Sequence, residues 1–186
     1  MRDKPPHPPV TDGVVTLRPW APADASSIAE ACREEEIAQW LDQIPQPYTE
    51  DDARMYVELC EVGWREGTSS TFAITDRASG EVLGSIGLRH LPGLDEGTSE
   101  IGYWVKQPAR GRGVATRALR LVSHWAISEL RIPRLQLRAD EQNEPSKRVA
   151  ERAGFTREGV LRASRYNARQ QRRVDFVMYS LLPEDL

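Results

Sequence analysis

Residues 106–120 read KQPARGRGVATRALR: five cationic side chains around a Gly-x-Gly step, with no acid anywhere in residues 101–128. Pro108 stops the strand-like run that precedes the stretch, and Gly111 and Gly113 permit a tight turn. After it, Ala115, Ala118, Leu119, Val122, Trp125 and Ala126 recur at helical spacing, so the turn opens an amphipathic helix. Such a turn leaves backbone N–H groups unpaired at the positive end of a helix dipole. Phosphate is the anion that cradle takes, with glycine where the backbone must approach closely. The donors expected are the N–H groups of Arg110, Gly111, Arg112, Gly113, Val114, Ala115 and Thr116. The Thr116 hydroxyl and the forked guanidiniums of Arg110 and Arg112 add to them.

Two familiar phosphate loops do not fit. A P-loop requires lysine after its last glycine, and Val114 follows Gly113. The dinucleotide fingerprint wants a small residue where Thr116 stands and a ribose-binding acid about 20 residues on, and no such acid stands out. Taken alone, Gly-Arg-Gly is also compatible with a tight connection carrying incidental arginines.

The elements that would position this loop follow from periodicity. VVTLRPW reads as a strand ending at Pro19, and the acid-rich run after Ala21 as a helix. Thr49 and Asp52 form a capping-box pattern at the start of a second helix, with Met55, Tyr56, Leu59 and Val62 at helical spacing. STFAIT and EVLGSIGLRH are strands joined by a turn, LPGLDEGTS is a loop, and EIGYWVK is a central strand, apolar on both faces. Beyond the loop helix come the strand RLQLRAD and a helix with Asn143 as N-cap, Pro145 in its first turn and Gly154 as its stop. A long C-terminal hairpin follows, in which Val174, Phe176 and Met178 alternate with Asp175, Val177 and Tyr179.

Length and composition bound the rest. With 186 residues, 39% hydrophobic and 28% charged, the chain fits one globular domain whose core requires neither disulfide nor metal. Residues 1–12, rich in proline, are expected to be a flexible tail ahead of a domain over residues 13–184. Cys32 and Cys60 set no disulfide framework and lack a histidine partner, so neither is a nucleophile candidate and a reducing cytoplasm is the default. His7, His90 and His124 are isolated, so no metal is expected. No apolar run approaches the roughly 18 residues of a membrane span.

Charge is segregated along the chain. Residues 24–66 hold twelve acids against three arginines, while residues 147–173 hold nine basic residues against Glu151 and Glu158. That pattern suggests a protein meeting an anion on one side and a cation on the other.

QPARGRGVATRALRLV resembles the Q/R-x-x-G-x-G/A loop of the GNAT superfamily of N-acetyltransferases, matched by Arg110, Gly113 and Ala115. The similarity extends through EIGYWV, NEPSKRVAERAGF and VTLRPWAPAD, over essentially residues 14–182. N-x-x-S, AGF and TLRPW point to the RimJ/RimL-type branch, which resembles ribosomal-protein N-terminal acetyltransferases. The resemblance implies an α/β (α+β) domain with a mixed, mostly antiparallel twisted sheet of about seven strands and about four flanking helices. A V-shaped split separates its fourth and fifth strands. It also implies that the loop grips the diphosphate of acetyl-CoA, and that amides of Tyr103, Trp104 and Val105 meet the pantetheine and the thioester oxygen.

Glu100, at the start of that strand, is the candidate base, its pKa raised by burial beside aromatics; the plain alternative is a solvent-facing carboxylate. Ser146 matches the position that protonates or hydrogen-bonds the leaving sulfur, and Asn143 the one that holds the cofactor arm, although both also suit helix capping. The superfamily's tyrosine acid, four residues before the Gly-Phe pair, is replaced by Ala150. Trp40 and Tyr48 are candidate acceptor-cleft residues, and the acidic helices would attract a protonated amine. The implied function is acetyl transfer to a primary amine, a protein N-terminus ahead of a polyamine or aminoglycoside-like molecule. A longer acyl donor remains open, as does a CoA-sensing module without catalysis. Nucleic-acid binding through the basic hairpin is disfavoured by the chain's net charge of −3. The same hairpin is the expected edge of a homodimer.

Overall fold

Alternating apolar residues give β2 (Val15–Pro19) and β3 (Ser69–Asp76), and β3 is buried on both faces through its centre. Only a strand covered from both sides shows that pattern. The computed structural model describes residues 9–41, 44–90 and 97–186. Residues 1–8 of the expected tail, His7 among them, and residues 91–96 of the expected loop lie outside the described residues.

After β2 come α1 (Ala25–Cys32), α2 (Glu35–Trp40) and α3 (Glu50–Glu66). The single acid-rich helix expected after Ala21 is thus two short helices. Then follow β4 (Val82–His90), β5 (Thr98–Val105), α4 (Val114–Ser128), β6 (Arg134–Asp140), α5 (Glu144–Arg152), β7 (Thr156–Asn167) and β8 (Arg172–Leu181). Val10 and Thr11, inside the expected tail, form β1 and pair antiparallel with β2. The sheet order is β1-β2-β3-β4-β5-β6-β8-β7, antiparallel except for β5 beside β6.

Helices cover both faces. On one, α4 buries Val114, Ala118, Leu119, Val122 and Trp125 against Leu17, Phe72, Ile74 and Ile101. On the other, α1 and α3 pack Ile28, Val57 and Cys60 with Trp20, Tyr48 and Ala73. The capping box of α3 is present, with the Thr49 hydroxyl accepting from the Asp52 N–H at 3.2 Å. Its buried face is only partly the one expected: Ala53, Val57, Cys60, Gly63 and Trp64 turn inward with Tyr56 packed beside them, and Met55 and Leu59 stay exposed at 57% and 60%. Small residues decide this. A Cβ at Gly63 would stand 2.1 Å from Ser69 Oγ, so α3 approaches β3 more closely there than a bulky face could.

Candidate active site

β5 and β6 pair only through Thr98, Ser99 and Glu100 with Arg134, Leu135 and Gln136. Beyond Glu100 they part, because β5 follows β4 to Val105 while β6 follows β8 to Asp140. Counting from β2, the split lies between the fourth and fifth strands, and it leaves one edge of β5 facing an open wedge.

Ladder phase decides which amides face that wedge. Lys106 N–H donates to Leu83 O at 2.9 Å, so by strand alternation Trp104 and Gly102 also direct their amides to β4. The N–H groups of Tyr103 and Val105 point into the wedge. Trp104, expected as a third donor, is excluded by this alternation, and its indole stacks on Trp20 at 6.3 Å.

At the end of β5 the chain turns through Gly111 and Gly113, whose φ angles of 72° and 77° lie in the left-handed region that side chains avoid. Gly113 is the N-cap of α4 and brings no side chain to cap it. The first helical bond runs from Arg117 N–H to Gly113 O at 3.0 Å. The N–H groups of Val114, Ala115 and Thr116 therefore precede it and lack intrahelical acceptors. Gly113, Thr116 and Arg112 border a cavity of about 800 Å³ shared with Arg117, Arg120 and Arg152.

Arg110 is placed differently from the expectation. Its backbone N–H donates to Gln107 O at 3.2 Å, and its Nε donates to Val105 O at 2.9 Å. Its guanidinium pairs with Glu34 at 2.7 Å and with Glu36. Neither its amide nor its fork faces the cradle, which narrows to the stretch from Gly111 to Thr116.

Part of the expected acidic field is occupied in the same way. Lys106 Nζ sits 2.6 Å from Glu30, Arg18 holds Asp24 at 2.7 Å, and Arg54 bridges Glu50 and Asp51. The acids of α1 and α2 fasten these helices to the cationic turn after β5, a use that leaves few of them to attract a substrate.

A second cavity, about 550 Å³, brings together Trp40, Tyr48, Glu100, Tyr103, Asn143 and Ser146. Asn143 caps α5, its Oδ1 accepting Ser146 N–H at 3.1 Å. That cap presents Ser146 Oγ to Tyr103 Oη at 2.9 Å. Burial pushes the Tyr103 phenol up to about 12, against an opposing pull from the Ser146 hydrogen bond. Tyr48 is buried, and burial raises its phenol as well.

Glu100 lies at the narrow end of the split with its side chain 13% exposed. Its neighbours are not the expected aromatics. Arg89 approaches it at 2.7 Å from β4 and Arg138 at 2.6 Å from β6, while Gln136 Nε2 donates at 3.2 Å. Burial, followed by the charge of Glu34, pushes the Cys32 thiol up to about 12, away from thiolate chemistry. Among the described residues no cluster of potential metal ligands occurs, and no helix is long and apolar enough to cross a membrane.

A wedge between parallel strands that ends on a glycine turn and a bare helix N-terminus defines a class, and the comparisons agree. Residues 15–156 match the acetyltransferase (GNAT) domain model, and the chain belongs to that family of acetyl-CoA-dependent N-acetyltransferases. Bacillus subtilis YdaF, named as a candidate ribosomal N-acetyltransferase, is 31% identical over 175 residues, 92% of each chain. The ribosomal-protein-serine acetyltransferase of Escherichia coli is 34% identical over 120 residues, 63% of this chain and 64% of that one. These names support the RimJ/RimL-like branch. The structure of Mycobacterium smegmatis RimJ in complex with CoA-disulfide aligns with TM-score 0.82 at 22% identity, over 96% of this chain and 86% of that one, a likeness of fold.

Sequence reasoning did not find Arg89, Gln136 and Arg138 around Glu100. Arg89 and Gln136 are the cross-strand partners of Glu100, visible only once strand register is known. It also treated Tyr103 as a backbone donor alone and overlooked its hydroxyl.

Proposed function

We propose that the chain transfers the acetyl group of acetyl-CoA to the α-amine of a protein N-terminus. The observation that carries this reading is the wedge itself. The Tyr103 and Val105 amides look into it, the Gly111–Thr116 turn follows the free end of β5, and Ser146 and Glu100 border one cavity with Tyr103. In this reading the diphosphate lies on the N–H groups before Arg117, and the pantetheine runs along β5. The thioester oxygen takes a β5 amide donor, which stabilises the charge that develops on it.

The neutral amine nitrogen then bonds to the acyl carbon and the carbon–sulfur bond breaks. The amine's surplus proton leaves through water to Glu100, whose oxygens Arg89, Gln136 and Arg138 hold in place. Ser146 Oγ–H protonates the departing thiolate.

An N-terminal α-amine fits better than a polyamine. Glu30, Glu34 and Glu36, which would have drawn a polycation, are paired within the chain, and guanidiniums flank Glu100 beside the split. The names of the relatives support a ribosomal protein as the acceptor. The test is thiol release from acetyl-CoA against a panel of N-terminal peptides and polyamines, with mass spectrometry locating the acetyl group. Acetylated peptide α-amines are expected, with turnover reduced about a hundredfold in Glu100→Ala. CoA binding without thiol release from any amine would instead establish a non-catalytic module.

A further inference from the structure

We infer that Tyr103 is a positioning residue for proton delivery: its hydroxyl donates to Ser146 Oγ and so turns the serine proton toward the departing sulfur. This rests on the reading of Ser146 as the group that protonates the thiolate. Tyr103 stands on β5 and Ser146 in the first turn of α5, 43 residues apart in the chain. Their hydroxyl oxygens are 2.9 Å apart, and Tyr103 Oη also lies 3.3 Å from the Ser146 carbonyl oxygen.

A serine hydroxyl carries one proton and rotates to suit its partners. If Ser146 donated to the phenol, its proton would point away from the sulfur. If the phenol donates, Ser146 Oγ is an acceptor on that side and its own proton is directed elsewhere. Three features select the second arrangement. A phenol is the stronger donor of the two. Burial holds the Tyr103 phenol in its protonated form, with a pKa of about 12. The contact to Ser146 Oγ, at 2.9 Å, is shorter than the 3.3 Å to the Ser146 carbonyl, so Oγ is the acceptor that takes the single phenolic proton. The Ser146 N–H is fastened to Asn143 Oδ1, so the serine backbone is fixed and its hydroxyl rotor is the remaining freedom.

In the reaction the carbon–sulfur electron pair passes to sulfur and sulfur takes the Ser146 proton. The Tyr103 O–H supports the serine oxygen through that transfer, and solvent then returns a proton to it. Tyr103 acts only through Ser146.

The experiment compares Tyr103→Phe, Ser146→Ala and the double variant in steady-state thiol release from acetyl-CoA. Phenylalanine keeps the ring that packs against the core and removes only the hydroxyl. Tyr103→Phe is expected to lower kcat about tenfold and to leave KM for acetyl-CoA within about twofold. In the Ser146→Ala background the same change is expected to cost nothing further, because there is no serine proton left to aim. A packing role would reduce both backgrounds alike. Wild-type kcat in Tyr103→Phe, an equal loss in both backgrounds, or a change confined to KM overturns the inference and leaves the transferase reading standing. A wild-type protein that releases no thiol with any amine overturns both.

Discussion

Gly113 is the residue on which the cradle turns. Its φ of 77° costs a side-chain-bearing residue about 1 kcal/mol, yet nothing lies within 4 Å of where a Cβ would stand. Gly113→Ala therefore meets backbone strain and no clash. It should fold, melt a few degrees lower, and relieve its strain by shifting the turn that aims the N–H groups of Val114, Ala115 and Thr116. Steady-state kinetics should show KM for acetyl-CoA raised about tenfold with a smaller change in kcat, the signature of lost binding common to ground and transition states. A lower melting temperature with KM unmoved would mean that the diphosphate sits elsewhere.

Between elements, the tie that matters is Arg110. It joins the end of β5, through Val105 O, to Glu34 and Glu36 at the start of α2, and its side chain is only 27% exposed. Removing one partner of a largely shielded pair leaves the other unsatisfied. Arg110→Ala is expected to lose about 2 kcal/mol in denaturant unfolding, and Glu34→Ala to lose less in the Arg110→Ala background than in the wild type, what remains being its bonds from the Gln107 N–H. Additive losses would show that the two side chains do not act as a pair. This tie also marks the limit of what the sequence made legible. The strands, the glycine turn and α4 were readable because local periodicity and turn chemistry specify them. The partner of Arg110 stands 76 residues away in the chain, and no local pattern encodes it. The same holds for α3, where hydropathy favoured Met55 and Leu59 while close approach at Gly63 chose a face turned away from both. Within the site, Glu100 and Ser146 were candidates through the resemblance to the family, and the structure brings both to one cavity. The Arg89, Gln136 and Arg138 cluster and the Tyr103 contact needed strand register.

For the whole molecule, the C-terminal hairpin must stay closed on β6, since β6 forms one wall of the wedge. One ionic cluster spans the three strands concerned. Glu158 on β7 receives both guanidinium nitrogens of Arg134 at 2.8 and 2.7 Å, and the Ser180 hydroxyl of the intervening β8 at 2.7 Å. The Arg134 hydrogen bonds, then that of Ser180, lower the Glu158 carboxyl from 4.5 to about 2. A carboxylate whose pKa is lowered by folding stabilises the native state above its unfolded value, and that contribution vanishes as pH falls through the folded value. The window here runs from about 4.5 down to about 2. Because the Glu158 side chain is 38% exposed, solvent screening reduces the contribution to about 1 kcal/mol. Melting curves of wild type and Glu158→Gln should differ by a few degrees at neutral pH and converge as pH falls from 4.5 toward 2. A gap that persists unchanged across that range would assign the loss to packing of the hairpin rather than to the charge of Glu158.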